Sequence, residues 1–226
     1  MSKISFLGSV TDSDALGNRR WRIVSTLLFV VFSLALLARY GYVWKWVESL
    51  SLFVPDPVFF HSFLNNPGGM LAYAGAFLTQ FLYYPFWGSC LLVLLLLGTQ
   101  QLTCRLFRLE GVSYLCSFIP SFLLLTAVLD LGYTWATLKA PGHFFMPTLG
   151  VIFALSCLAL FRWVKVYYAR LVLLPVIVAL YPFCGFYALF APGLCLIDEC
   201  VNRPGKKSWA VALVGVVSIV LFKKLY

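Results

Sequence analysis

The run NPGGMLAYAGAFLTQFLYYPFWG, Asn66 to Gly88, decides how this chain is threaded. Its apolar part, Gly69 to Tyr84, holds 16 residues between Asn65–Gly68 and Pro85. As an α-helix it would reach about 24 Å, short of a hydrocarbon core of about 30 Å. Counted as a crossing, it would move every later loop to the opposite side and put Arg105, Arg108, Arg162, Lys165 and Arg170 outside. Read as a re-entrant or interfacial helix on the outer side, it leaves those residues inside, as the positive-inside rule requires. Ala72, Gly75, Ala76 and Thr79 recur at helical spacing within it, a pattern that lets a neighbouring helix approach closely.

Outward from that run the chain is one membrane domain, residues 1–226, with a polar cytoplasmic tail over 1–20 and an outer loop over 45–85 that holds the short helix. Its 226 residues are 62% hydrophobic and only 11% charged, with a mean hydropathy of +0.92. A soluble domain of this size cannot hide so much apolar surface. The fold class expected is an all-α polytopic membrane helix bundle: seven transmembrane helices plus the one outer-side helix. The first run, Ile23 to Ala38, follows Arg19, Arg20 and Arg22 and reads as an uncleaved, inside-facing anchor. Later runs are Phe86 to Thr103, Val112 to Leu129, Phe145 to Phe161, a pair within Tyr168 to Cys200, and Ser208 to Phe222. The net charge of +9 is scattered singly and in pairs beside these runs, which suits lipid headgroups and excludes a nucleic-acid surface.

The segment Tyr168 to Cys200 is 33 residues long and would extend about 50 Å as a single helix, so it must fold back. Pro182 and Gly185 mark the turn, and Pro175 and Pro192 kink the arms. Each arm then has about 15 residues, and the pair either crosses fully or forms a cytoplasm-facing re-entrant hairpin.

Candidate site residues fall on the outer side. Arg39 and Asp130 end the first and third spans at similar depth and are expected to compensate each other, because a charge at the hydrocarbon boundary needs a counter-charge. Asp56 stands between Pro55 and Pro57, with His61, Asn65 and Asn66 close behind it and His143 in the next outer loop. A carboxylate, two imidazoles and two amides suit headgroup binding, with Asp56 the one candidate catalytic residue. Asp198 and Glu199 precede Arg203, Lys206 and Lys207 and read as an exposed ion-pair cluster. The seven cysteines have no metal-ligand spacing and read as reduced packing thiols, so no metal and no cofactor is expected. Trp44, Trp46, Tyr83, Tyr84, Trp87, Trp135, Trp163, Tyr167 and Tyr168 lie near span ends as an interfacial aromatic belt. Ser208, Ala212, Gly215 and Ser218 give the last span a small-residue face for packing within the domain or against an envelope protein partner.

Through Asn66 to Gly88, and again at YPFCGFYAL (Tyr181 to Leu189), the chain resembles a family of bacterial multi-pass membrane proteins classed as a domain of unknown function. That resemblance spans nearly the whole chain and implies a bacterial inner membrane, but assigns no activity. In layout the chain is also similar to the membrane module of C-type glycosyltransferases. That similarity implies an acidic residue in the first outer loop, here Asp56, acting on a polyprenyl-linked sugar donor at the outer face.

Two functions therefore compete. One is a scaffold, or a subunit binding membrane lipids or an envelope partner; the other is the glycosyltransferase-like enzyme. The enzyme calls for Asp56, Arg39 and Asp130 to converge on a cleft open to the outer leaflet, whereas the scaffold leaves Asp56 in solvent. An ion-coupled carrier is disfavoured by the scarcity of polar residues within the spans.

Overall fold

The computed structural model describes residues 3–51, 53–137, 142–202, 211 and 213–217. Its elements are α1 (Lys3–Arg39), α2 (Gly41–Leu50), α3 (Pro57–Leu64), α4 (Gly69–Thr79), which runs into a 3₁₀ turn (Gln80–Tyr83), and α5 (Pro85–Phe107). A second 3₁₀ segment (Gly111–Phe118) leads into α6 (Ile119–Thr137), followed by α7 (Met146–Trp163), α8 (Tyr167–Ala179), α9 (Tyr181–Cys184) and α10 (Phe186–Asn202). Residues 213–217 are helical as well, and no strand occurs among the described residues. Proline opens several of these helices, Pro57 in α3, Pro85 in α5 and Pro147 in α7, where its missing amide proton costs nothing.

Among the described residues, four helices are long and apolar enough to cross a membrane: Arg19–Arg39, Pro85–Phe107, Gly111–Asp130 and Met146–Trp163. They coincide with the first four expected spans. The hairpin arms are shorter, 13 residues in α8 and 17 in α10, or about 20 and 26 Å. Of the seven expected spans, the described residues show four long ones and the folded-back pair, and most of the seventh lies outside the described residues. The aliphatic and aromatic side chains that α1 and α5 expose, such as Leu28, Val31 and Leu94, face outward where lipid would lie.

Helix α5 is the centre of the bundle and packs on α1, α2, α6 and α7. One core gathers around it from Phe29, Leu37, Leu92, Leu96, Leu125 and Phe145. A second lies between α7, α8 and α10 and includes Leu158, Phe161, Leu174, Cys195 and Val211. Val211 is fully buried, and a Cβ on Gly215 would stand 2.7 Å from Leu196 Cδ2, so this last segment packs within the domain. Across the α5–α6 seam run polar ties: Thr99 to Ser121 at 2.8 Å, and the Gln100 amide donating to Ser117 Oγ at 2.8 Å.

The decisive run forms a helix too short to cross, as its breakers require. Gly75, Ala76 and Thr79 are its buried face, and a Cβ on Gly75 would come within 2.2 Å of the Gly142 carbonyl oxygen. Its first turn meets the tip of the hairpin, where Gly68 donates its amide proton to the Pro182 carbonyl at 3.0 Å. From that tip α10 runs back antiparallel to α8 and parallel to α7. Tyr187 covers Gly150 near the start of α7, and Asp198 reaches Arg162 at its end, so the hairpin matches the height of α7. Trp44 departs from its expected belt position. It is 2% exposed, donates its indole N–H to the Leu37 carbonyl at 2.9 Å and packs edge-on against Phe144.

Candidate functional site

Arg22, Arg105, Arg108, Arg162, Lys165 and Arg170 collect at one end of the bundle, where the apolar span of α1 and helix α8 begin and α5 and α7 end. Helix α5 stops there because Arg108 takes a left-handed conformation, φ 49° and ψ 45°, and closes the helix through its amide to the Cys104 carbonyl. It is the one non-glycine residue with positive φ among those described, in a place glycine usually takes, at a cost of about 1 kcal/mol.

Two arginine–carboxylate pairs tie the later helices together at this end. Arg162 donates from Nε and Nη2 to Asp198 Oδ1 at 3.0 and 2.5 Å, and from Nη1 to the Leu106 carbonyl at the open end of α5. Its guanidinium lies over the Phe107 ring at 5.2 Å, and Asn202 adds a 2.6 Å bond to the same Oδ1. The next residue, Glu199, points about 100° further round α10 and meets a different arginine. Arg170 Nη1 reaches Glu199 Oε2 at 3.3 Å, its Nε donates to the Val164 carbonyl at 2.6 Å, and its plane sits over Phe161 at 5.5 Å. Arg170 is 3% exposed and Glu199 6%, so the pair is buried and each charge is compensated in part by the other. On the far side of α5, Arg22 lies over Tyr114 at 5.4 Å and reaches the Leu109 carbonyl at 3.4 Å.

Between α5, α7 and α10 lies a cavity of about 990 Å³. Arg105, Arg108, Arg162, Asp198 and Asn202 supply its polar lining; the remainder is apolar, including Leu102, Leu158, Ile197 and Val201. Three guanidiniums face one carboxylate, and that carboxylate is engaged by Arg162, so Arg105 and Arg108 bring positive charge that no described residue of the lining offsets. Such a cavity is suited to an anion with an apolar tail: guanidinium groups hold phosphate or carboxylate in paired hydrogen bonds, and the aliphatic wall accommodates a chain.

The residues expected to form an outer site lie at the opposite end. Asp56 is the N-cap of α3, exposed, and makes no side-chain cap. His61 lies on that short helix, Asn65 is its C-cap and Asn66 follows in the turn; all three are exposed. Arg39 and Asp130 are both exposed and form no ion pair within 4.0 Å, whereas the pairs among the described residues are Arg22–Glu110, Arg162–Asp198 and Arg170–Glu199. His143 is half-buried in the turn before α7, and burial pushes its imidazole below the ordinary value. Asp198 and Glu199, expected to be an exposed cluster with Arg203, Lys206 and Lys207, are not exposed but turned inward onto Arg162 and Arg170; Arg203, Lys206 and Lys207 lie outside the described residues. The signal for this was two adjacent acids inside an otherwise apolar helix, a combination that demands buried counter-cations. All seven cysteines are free thiols; Cys157, Cys184 and Cys195 are buried, whereas Cys116 and Cys200 are exposed and do not pack as expected.

A family model described as a family of unknown function, DUF6057, matches residues 18–225, and the chain belongs to that family. No curated protein and no solved structure matches it.

Proposed function

We propose that this member of the family is a lipid-binding subunit of the bacterial inner membrane, with its basic end in the cytoplasm, and that it seats the headgroup of an anionic lipid between Arg105 and Arg108. The observation that carries this reading is the cavity of about 990 Å³ whose free charge is positive and whose walls are aliphatic. The orientation follows the positive-inside rule, since Arg19, Arg20, Arg22, Arg105, Arg108 and Arg162 share the end that would face the cytoplasm. A scaffold role toward an envelope partner would use the lipid-facing side of the last segment, where Leu213, Val216 and Val217 are exposed.

The test is lipid retention by the purified full chain taken from nanodiscs of equal phosphatidylglycerol and phosphatidylcholine, read by native mass spectrometry. The unmutated chain is expected to keep phosphatidylglycerol preferentially. Arg105→Gln with Arg108→Asn, a side chain that tolerates the left-handed cap, is expected to lose that preference by about tenfold or more, two charge-assisted contacts being removed. Equal retention by the unmutated chain and the variant overturns the proposal.

The second reading, a C-type-glycosyltransferase-like enzyme using a polyprenyl-linked donor at the outer face, gives catalysis to Asp56, with Arg39, His61, Asn65, Asn66, Asp130 and His143 as binding residues. The lipid-binding reading is preferred because Asp56 stands in solvent without a side-chain cap and Arg39 and Asp130 are not paired. Asp56→Ala at matched protein level separates the two: loss of one envelope glycan supports the enzyme, and unchanged glycans support the lipid-binding subunit.

A further inference from the structure

At the end of the bundle away from the arginines, α2, the 3₁₀ turn after α4 and the first turns of α5 enclose a second cavity, of about 800 Å³. Its chemistry is the reverse of the first. Phe81, Tyr83, Tyr84 and Trp87 form most of the wall, Leu91 and Leu94 extend it along α5, and the one ionisable carboxylate is that of Glu48. Glu48 is half-buried and forms no ion pair within 4.0 Å among the described residues. Lys45, one turn earlier on α2, is exposed and is not part of the lining.

This combination selects for a particular ligand. A carboxylate partly removed from water gains from a cation, and the faces of Trp and Tyr rings attract organic ammonium groups, which shed water more readily than small metal ions. Tyr83 and Tyr84 stand edge to face, centroids 4.9 Å apart at 87°, so the wall presents both a ring face and a ring edge. Trp87 and Leu94, on a helix long enough to cross a membrane, and Tyr84, its N-cap, are each more than three-fifths exposed. The cavity therefore opens sideways toward lipid, and α5 offers its aliphatic face to an acyl chain.

We propose that the Glu48 cavity binds the ammonium headgroup of a membrane lipid, with Glu48 as counter-ion, Tyr84 and Trp87 as the aromatic wall, and Leu91 and Leu94 along the chains. Gln80 and the two tyrosine hydroxyls are the donors available to the lipid's phosphodiester. The site is independent of the arginine cavity, since the two lie at opposite ends of α5.

The experiment again uses the full chain, in nanodiscs containing phosphatidylethanolamine and phosphatidylglycerol, with lipids retained on extraction counted by native mass spectrometry. Glu48→Gln is expected to reduce phosphatidylethanolamine retention about tenfold and to leave phosphatidylglycerol retention unchanged. Trp87→Leu, at an exposed position where folding is not at stake, is expected to reduce it several-fold on its own, so a poorly accumulating Glu48 variant does not protect the idea. Unchanged phosphatidylethanolamine retention in Trp87→Leu, or in a folded Glu48→Gln, overturns the proposal, as does displacement of the bound lipid by phosphatidylglycerol with equal ease. Displacement by millimolar free ethanolamine as effectively as by the lipid would also overturn it. Failure of the Arg105/Arg108 experiment leaves this result untouched.

Discussion

Gly68 and Gly185 face each other backbone to backbone, so that a Cβ on Gly185 would stand 3.0 Å from Gly68 Cα. Both have positive φ, +85° and +57°, and the Gly68 amide bonds to Pro182 in the same turn. This is the contact that fixes the short outer helix to the hairpin tip. Gly185→Ala is expected to destabilise the bundle by about 1–3 kcal/mol through backbone strain alone. Gly193→Ala in α10, where a Cβ meets nothing within 4 Å, is expected to be neutral or stabilising by up to about 1 kcal/mol. Thermal unfolding of both in one detergent tests this, and equal unfolding temperatures would remove the contact from the account.

The Arg170–Glu199 pair makes an asymmetric prediction. Arg170→Leu removes the guanidinium from a buried carboxylate and is expected to cost about 3–5 kcal/mol. Arg170→Met combined with Glu199→Met removes both charges and is expected to recover most of that loss. A double variant as unstable as the single one would mean that the pair contributes more than mutual compensation.

Gln100 is fully buried; its amide donates to Ser117, while its carbonyl oxygen finds no partner among the described residues. Gln100→Leu is therefore expected to be near neutral, because Ser117 still donates to the Tyr114 carbonyl at 2.7 Å. Ser117→Ala leaves the whole amide unmatched and is expected to cost about 1–3 kcal/mol. Chemical unfolding curves for the two, taken side by side, check the order; the reverse order rules this assignment out.

His143 gives a pH dependence of known sign. Burial lowers its imidazole below 6.5, so as acid is added the unfolded chain takes up the proton first. The stability tied to a neutral His143 is complete above about pH 6.5 and declines as the pH falls toward the lowered native value. Unfolding temperatures measured from about pH 7.5 down to about pH 5 should fall less steeply for His143→Gln than for the unmutated chain. Parallel curves would show that His143 does not report folding.

Turn chemistry was the most legible part of the sequence. Asn65 to Gly69 and Pro182 to Gly185 both ended helices as their residue types dictate, and the stripe of Gly75, Ala76 and Thr79 became the buried face of α4. The partners of Asp198 and Glu199 were not legible. Their nearest cations in sequence are Arg203, Lys206 and Lys207, yet the arginines they meet lie 36 and 29 residues earlier. Which face of α10 turns inward is set by its packing on α7 and α8, and a single-sequence pattern carries little of that rotation. Trp44 was hidden for the same reason: its place beside Phe144 depends on a loop about 100 residues downstream folding back over α2.

Helix α1 joins the bundle through side chains that arrive much later in the chain. Thr26 meets Tyr114 across 88 residues, and Arg22 meets Leu109 across 87. At about 5–20 residues per second, roughly 4–18 s of synthesis separate the first helix from the surface it packs against. During that interval α1 is a lone helix in lipid, stable by its apolar length but without its neighbours, so assembly of this domain is a docking of helices already inserted. The Thr26–Tyr114 hydroxyl pair and the Arg22–Tyr114 stacking then tie α1 to the segment that leads into α6.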